Sequence, residues 1–394
     1  MRAVTVALEA PIDLNDVAAG DGYLFVRDGV GIAGRAVAAR VDDHEAVAVL
    51  AAIEHRDEVG GRSPIAVGCI PFRPGDAATL VIPALLVGKA ADGTQWVTRI
   101  YGGYDEPPEL VGAQRPAPRA QRFTVEPIGS VEQYLAAVTA ARDAVRRATL
   151  AKAVISREIA VRSDEPIDVH AVLLRLRSSF GSSYRYSIDG LIGASPELLI
   201  SVDDTTVRSH PLAGTAPRTG DPDTDARLAG ELMASAKNQI EHRVVIDAIH
   251  DTLLPWCSYL DWAPEPSIVA VANVQHLGTE IEGMLSVPRP GVLDLVRALS
   301  PTPALGGAPR DEALALIESV EGFERGRYGG AVGWTDANGD GTWAVAIRCA
   351  EFDPDRRRAR LVAGGGIVAE SEPLAELAET QAKLQAMLSA IVRP

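Results

Sequence analysis

Gly329-Gly330-Ala331-Val332-Gly333-Trp334 and Thr342-Trp343-Ala344-Val345-Ala346-Ile347-Arg348 are apolar runs separated only by Thr335-Asp336-Ala337-Asn338-Gly339-Asp340-Gly341. The connector is too short for a crossover helix, so the two runs read as strands joined by a turn and paired antiparallel. The connector also looks like the start of a calcium loop. Such a loop needs Gly at its sixth position and a bidentate Glu at its twelfth. Gly341 fits the first, but Ile347 stands at the second, so the turn reading is kept.

Short apolar or alternating runs fill the first hundred residues: Tyr23–Val26, Ile65–Ile70, Thr79–Ile82 and Gln95–Ile100. Turn residues such as Pro74-Gly75-Asp76 and Ala91-Asp92-Gly93 separate them, as in antiparallel sheet. Residues 105–120, with Pro107, Pro108, Pro116 and Pro118, are the best linker candidate, or else a wrap around the same core. Ser130-Val131-Glu132-Gln133 reads as a capping box opening a helix with Tyr134, Val138, Ala141 and Val145 on one face. Strands are expected at Lys152–Arg157 and at Leu191–Ile200, the latter interrupted by Ser195-Pro196-Glu197. One long helix is expected over Thr224–Leu254, a strand at Ala359–Val362 and a last helix over Pro373–Ile391. Helices and strands do not alternate regularly, so the fold class is α+β with largely antiparallel sheet.

The chain has 394 residues, 47% hydrophobic and 23% charged, which suits a folded enzyme rather than a disordered chain. A net charge of −15 argues against nucleic acid as a partner. The first residues reach a charge, Arg2, too early for a signal peptide, and no apolar run is long enough to span a membrane. Cys69, Cys257 and Cys349 stand far apart with no paired spacing, which fits free thiols in a reducing cytoplasm.

Charged and small residues recur where chemistry could use them. Asn238 and Glu241 are three apart on a helix, and Glu376, Glu379 and Lys383 share one face of another. Taken singly, such faces are usually solvated. If the two converged, their carboxylates would repel unless a cation lay between them, and oxygen ligands suit Mg2+. Glu197 lies inside an apolar strand, and Lys152 begins another. Pro211-Leu212-Ala213-Gly214-Thr215 reads as a tight turn. Gly364-Gly365-Gly366 lacks the spacing of a phosphate loop, so the glycines are read as permitting close approach to another strand or a small anion.

Together these stretches resemble the chorismate-utilising enzymes, a family that includes isochorismate, salicylate, anthranilate and aminodeoxychorismate synthases. The resemblance is carried by KAVISR (Lys152–Arg157), GASPEL (Gly193–Leu198), PLAGT (Pro211–Thr215) and SAKNQIEH (Ser235–His242). It continues in VQHL (Val274–Leu277), PTPA (Pro301–Ala304), RGRYGGAVGW (Arg325–Trp334), WAVAIR (Trp343–Arg348) and AGGGIVAESEPLAELAETQAK (Ala363–Lys383). It covers about residues 130–390 and is fainter before them, Ile70-Pro71-Phe72 being the best earlier piece. The resemblance implies one large α+β domain over residues 1–394, two antiparallel sheets packed together with helices outside, which removes the linker as a boundary.

It also implies roles. Glu241 and Glu376 would bind Mg2+ with Glu379 in support, and Asn238, where the family often has an acid, would hold a metal-bound water. Arg348 and Tyr328, with backbone N–H groups near Gly364 and Gly366, would meet the enolpyruvyl carboxylate. Gly214, Thr215 and Ala304 would lie against the substrate, His276 near its ring carboxylate, and Lys383 beside the metal acids. Glu197 would be the general acid that releases the C4 hydroxyl, and Lys152 the base that activates water for C2.

Two positions sort the branches. Anthranilate synthases resemble this chain but carry Gln where Lys152 stands, and aminodeoxychorismate synthases carry a nucleophilic Lys where Ala213 stands. The resemblance therefore implies water as nucleophile, no glutaminase subunit, and reversible exchange of chorismate and isochorismate by a cytoplasmic monomer. The product would feed siderophore or menaquinone synthesis. Ala304-Leu305 looks like the isochorismate branch. The alternatives are a salicylate synthase, which goes on to eliminate pyruvate, and a non-catalytic chorismate-binding protein.

Overall fold

The computed structural model describes residues 1–112 and 121–393. Residues 113–120 of the expected linker, Pro116 and Pro118 among them, lie outside these. Its described start runs along the core, with the Asp105 carboxylate accepting from Val37 N–H at 2.8 Å and Leu110 packed on buried side chains.

The fold is α+β. Twenty of the described strands join in one continuous network, and Leu212–Pro217, Val274–Gly278 and Ser267–Ala270 form a small separate sheet. Pairing is antiparallel throughout these ladders, except where Arg2–Ala7 runs parallel to Glu54–Asp57. The two runs that opened the sequence reading form a hairpin, Ala331–Asp336 against Gly341–Val345. Asp336 closes its turn by accepting from Asn338 N–H and Asp340 N–H. This hairpin sits between Ile65–Ile70 and Leu198–Asp203, so the early strands and the later ones share one sheet.

The strands bury apolar side chains on both faces. One cluster includes Ile70, Ile82, Tyr186, Ile200, Val296 and Trp343. The other packs Leu14, Val172, Leu176, Leu384 and Met387 from helices onto Val161, Ile192 and Leu361 from strands. Among the described residues no helix is long and apolar enough to cross a membrane.

Three local departures from the sequence reading bear on the site. The expected long helix is two, Pro222–Ala234 and Ala236–Leu253. Ser235 between them is extended (φ −72°, ψ 109°), and its Oγ accepts from Asn238 N–H at 3.4 Å and from the Asn238 amide at 2.9 Å. A serine at an N-cap satisfies an orphan N–H that helix continuation would not need to expose, and here the cap wins.

The Pro211–Thr215 stretch is not a tight turn. It enters the Leu212–Pro217 strand, whose register shifts at Gly214, held at φ +72°. The capping box at Ser130 is half formed: Ser130 Oγ accepts from Gln133 N–H, but the Gln133 amide donates to Glu321 C=O instead. Elsewhere the ladders are longer than expected. Lys152–Ser163 pairs with Arg358–Ile367 over ten residues, with Gly364 opposite Ser156 and Gly366 opposite Val154.

Candidate active site

Lys152 starts its strand with its side chain directed inward and only 1% of the residue exposed. Glu197 interrupts its strand at the Pro196 break and is 3% exposed. A charged group so buried is costly without a partner, so neither behaves as a solvated strand residue. Both face one cavity. Gly214, Thr215, Glu241, His276, Ala304, Tyr328, Arg348, Gly364, Gly366, Glu379 and Lys383 complete most of its wall, drawn from strands and helices far apart in the chain. Asn238 and Glu376 do not line it. Asn238 backs Gly214, whose added Cβ would meet Asn238 Oδ1 at 3.1 Å, and Glu376 backs Gly365, whose added Cβ would meet Glu376 Oε2 at 2.7 Å.

Burial pushes the Glu197 carboxyl up to about 7, against the pull of Leu212 N–H, which donates to Oε1 at 3.4 Å, and of Lys152 and Arg348. A carboxyl poised near neutrality can be protonated when needed. Lys152 Nζ lies 2.9 Å from Glu241 Oε1. Burial would raise Glu241, but the facing Lys152 and Lys383 ammoniums more than offset it and hold that carboxyl below its usual range.

Arg348 sits at φ +52°, a left-handed conformation that a side chain adopts at a cost. Among the described residues no carboxylate pairs with it, and its Nε has no acceptor. Its Nη2 instead donates to His276 Nε2 at 3.1 Å. The other ring nitrogen, Nδ1, donates to Gly214 C=O at 3.0 Å. Burial, with Arg348 and Lys383 beside it, pulls His276 down to about 3. The ring is thus neutral with both nitrogens engaged. His276, expected near the ring carboxylate, lines the cavity and its ring engages Arg348.

The expected metal acids border the glycine strand, but the oxygens of Glu241, Glu376 and Glu379 do not gather within 4.8 Å of one another. Gly365 and Gly366 form the floor: an added Cβ at Gly366 would meet Glu241 Oε1 at 2.4 Å, and one at Gly365 would meet Glu376 Oε2 at 2.7 Å and Glu379 Oε1 at 3.6 Å. Only glycine leaves room for these carboxylates beside the strand, and carboxylate oxygens are the hard donors that suit Mg2+. Each acid is drawn to its own ammonium: Glu241 to Lys152 at 2.9 Å, Glu379 to Lys383 at 2.7 Å, and Glu376 to Lys237 at 3.5 Å. Burial and the neighbouring Glu379 raise the Glu376 carboxyl. Among the described residues the one trio of such ligand atoms gathered within 4.8 Å is Asp42, His44 and Glu45, exposed on the surface and away from this cavity.

The family described as chorismate binding enzyme matches residues 75–392. The chain belongs to that family. The match runs through the expected linker. Among similar proteins, isochorismate synthase DhbC of Bacillus subtilis (strain 168) is 38% identical over 351 residues, spanning 86% of this chain and 84% of the relative. Isochorismate synthase EntC of Escherichia coli (strain K12) is 36% identical over 344 residues, spanning 84% and 82%. The crystal structure of DhbC from Bacillus anthracis superposes with a TM-score of 0.80 at 34% identity, covering 96% of this chain and 98% of that one. The menaquinone-specific isochorismate synthase MenF of Escherichia coli shares the fold, with a TM-score of 0.86 at 22% identity over 99% and 94% of the two chains.

Within this chorismate-binding chain, sequence reasoning missed Lys237 and the pair Glu321–Arg325. Lys237 lies inside the SAKNQIEH stretch, four residues before Glu241, and that helical spacing is the signal that could have found it. Arg325 and Glu321 are buried at 2% and 1% side-chain exposure. Arg325 donates to Leu305 C=O and Val154 C=O at 2.7 Å each, and Glu321 accepts from Ser156 N–H at 2.7 Å. The pair therefore ties together two segments that line the cavity.

Proposed function

We propose that this chain is an isochorismate synthase that exchanges chorismate and isochorismate reversibly with Mg2+, as a single domain over residues 1–394. The observation that carries the reading is the buried Glu197, poised at about 7, facing the same cavity as the buried amine of Lys152. The names of the relatives, DhbC and EntC, agree with it.

The reaction moves a double bond while water adds at C2 and the C4 hydroxyl departs from the other side. Hydroxide is a poor leaving group, and a protonated Glu197 gives it a proton as it leaves. Water at C2 must lose a proton, and Lys152, buried in the wall of the same cavity, would take it. In this structure Lys152 Nζ is engaged by Glu241 Oε1. That contact has to open for Lys152 to reach the attacking water.

Glu241 and Glu376 would hold Mg2+, with Glu379 and Asn238 in support. Bound there, the ion supplies positive charge that anchors and polarises the ring carboxylate. Arg348, without a carboxylate partner among the described residues and steadied by His276, is suited to grip the enolpyruvyl carboxylate with its planar fork, with Tyr328 beside it. Lys383 donates to Gly364 C=O at 2.9 Å and balances Glu379, keeping the glycine strand against the acids.

The presence of Lys152 and of Ala213 fits water as nucleophile without a glutaminase subunit. The product would supply siderophore or menaquinone synthesis in the cytoplasm.

Purified protein incubated with chorismate should give a Mg2+-dependent plateau of chorismate and isochorismate by chromatography. Glu197→Gln and Lys152→Ala should each reduce the rate to the no-enzyme level. Salicylate with equal pyruvate would assign the chain to the salicylate branch. Unchanged chorismate with folded protein would leave a binding protein only.

A further inference from the structure

The Lys152–Ser163 strand presents residues 152, 154 and 156 on one face, since side chains two apart along a strand point the same way. Lys152 and Val154 line the cavity of the candidate active site. Ser156 continues that face and is only 3% exposed. Its partner across the ladder is Gly364, which also lines the cavity, and a Cβ added there would meet Ser156 Oγ at 2.4 Å. The hydroxyl therefore rests against the glycine strand. The backbone that carries it is fixed, with Ser156 N–H donating to Glu321 Oε1 at 2.7 Å.

Despite this burial, Ser156 Oγ has no hydrogen-bond partner among the described residues. A buried hydroxyl without a partner costs stability. Tyr328 stands where it can become that partner. It is 4% exposed and lines the same cavity. Burial pushes its phenol up, while Arg325, Arg348 and the Ser156 hydroxyl beside it pull the other way. A phenol donates one hydrogen bond, and its oxygen can accept another. When it donates to an anion its oxygen becomes the better acceptor, so the two bonds strengthen each other.

We infer that Ser156 is a positioning residue for Tyr328: when substrate binds, the serine hydroxyl donates to the phenol oxygen and turns the phenol O–H towards the carboxylate that Arg348 grips. The inference rests on the reading above that Tyr328 and Arg348 meet the enolpyruvyl carboxylate. Ser156 acts on affinity, through Tyr328, and not on the proton transfers assigned to Glu197 and Lys152.

The test is a double-mutant cycle on chorismate affinity. Calorimetric titration in the Glu197→Gln background, where no turnover is expected, compares that protein with the same protein carrying Ser156→Ala, Tyr328→Phe or both. Ser156→Ala should weaken chorismate about tenfold, the size expected for one hydrogen bond in a chain that ends on a charge. Tyr328→Phe should weaken it at least as much, and Ser156→Ala added to Tyr328→Phe should change nothing further. With Glu197 restored, Ser156→Ala should raise KM about tenfold and leave kcat within about twofold, the pattern of lost uniform binding. Urea unfolding separates out a structural role: removing a hydroxyl without a partner should leave the midpoint unchanged or raised, whereas losing a structural hydrogen bond lowers it. The inference is overturned if Ser156→Ala leaves chorismate affinity unchanged, if its effect is equally large beside Tyr328→Phe, if the unfolding midpoint falls with the affinity, or if folded wild type does not bind chorismate. A wild type that binds chorismate without forming isochorismate sinks the synthase reading alone, and the affinity cycle still decides the role of Ser156.

Discussion

At the scale of single residues, Glu197 should set the pH dependence. Its folded value of about 7 lies above the ordinary 4.5, so the protonated form is favoured by folding. The stabilisation this gives is present below about 4.5 and is lost as pH rises from there towards 7. Urea unfolding of the wild type and Glu197→Gln across that range should show the wild type losing stability relative to the variant. Turnover that needs the protonated acid should fall on the same alkaline side, measured as kcat against pH.

The motifs made Glu197 and Lys152 legible in the sequence. What the sequence could not show is which partner each buried charge takes. The pairing of His276 with Arg348 and Gly214 joins residues more than sixty positions apart, and nothing local to any of them specifies it.

At the scale of elements, the glycine strand is the feature most sensitive to change. Gly366→Ala places a methyl group against Glu241 Oε1 and Lys152 Cε, at 2.4 and 2.7 Å. Glu241 must move away from the strand, so the Mg2+ binding proposed above, measured by calorimetry, should weaken at least about tenfold, a cost of roughly 1.4 kcal/mol, with far-UV circular dichroism unchanged. Ser235→Ala removes the cap between the two helices and should cost about 1 kcal/mol in urea unfolding.

This break was not legible beforehand because Met233, Ala234, Ala236 and Lys237 all suit a helix. The decision falls to one serine side chain and to the packing that needs a bend there. The strands were read more accurately, since their alternation and turn residues are local. Their true lengths were missed, because the Lys152 strand is extended by its partner across the ladder rather than by its own pattern.

At the scale of the whole molecule, the buried Glu321–Arg325 pair holds together the Lys152 strand, the Leu305 segment and the turn that carries Tyr328. Arg325→Met leaves Glu321 as an uncompensated buried charge and should cost about 3–5 kcal/mol in urea unfolding. A loss under about 1 kcal/mol would mean that the pair is not the tie described.

The antiparallel α+β class was legible from short connectors such as Thr335–Gly341. The joining of early and late strands into one network was not, because pairings such as Ile70 with Ala331 span most of the chain.

If this cavity adds water to C2 of chorismate, the oxygen at C2 of the product comes from solvent. Turnover with Mg2+ in 18O-labelled water, followed by mass spectrometry of the isolated isochorismate, tests it directly. One 18O located at C2 in the wild type, and no product from Glu197→Gln, is the predicted result. Isochorismate without label, or label retained at full rate in Glu197→Gln, would contradict the account.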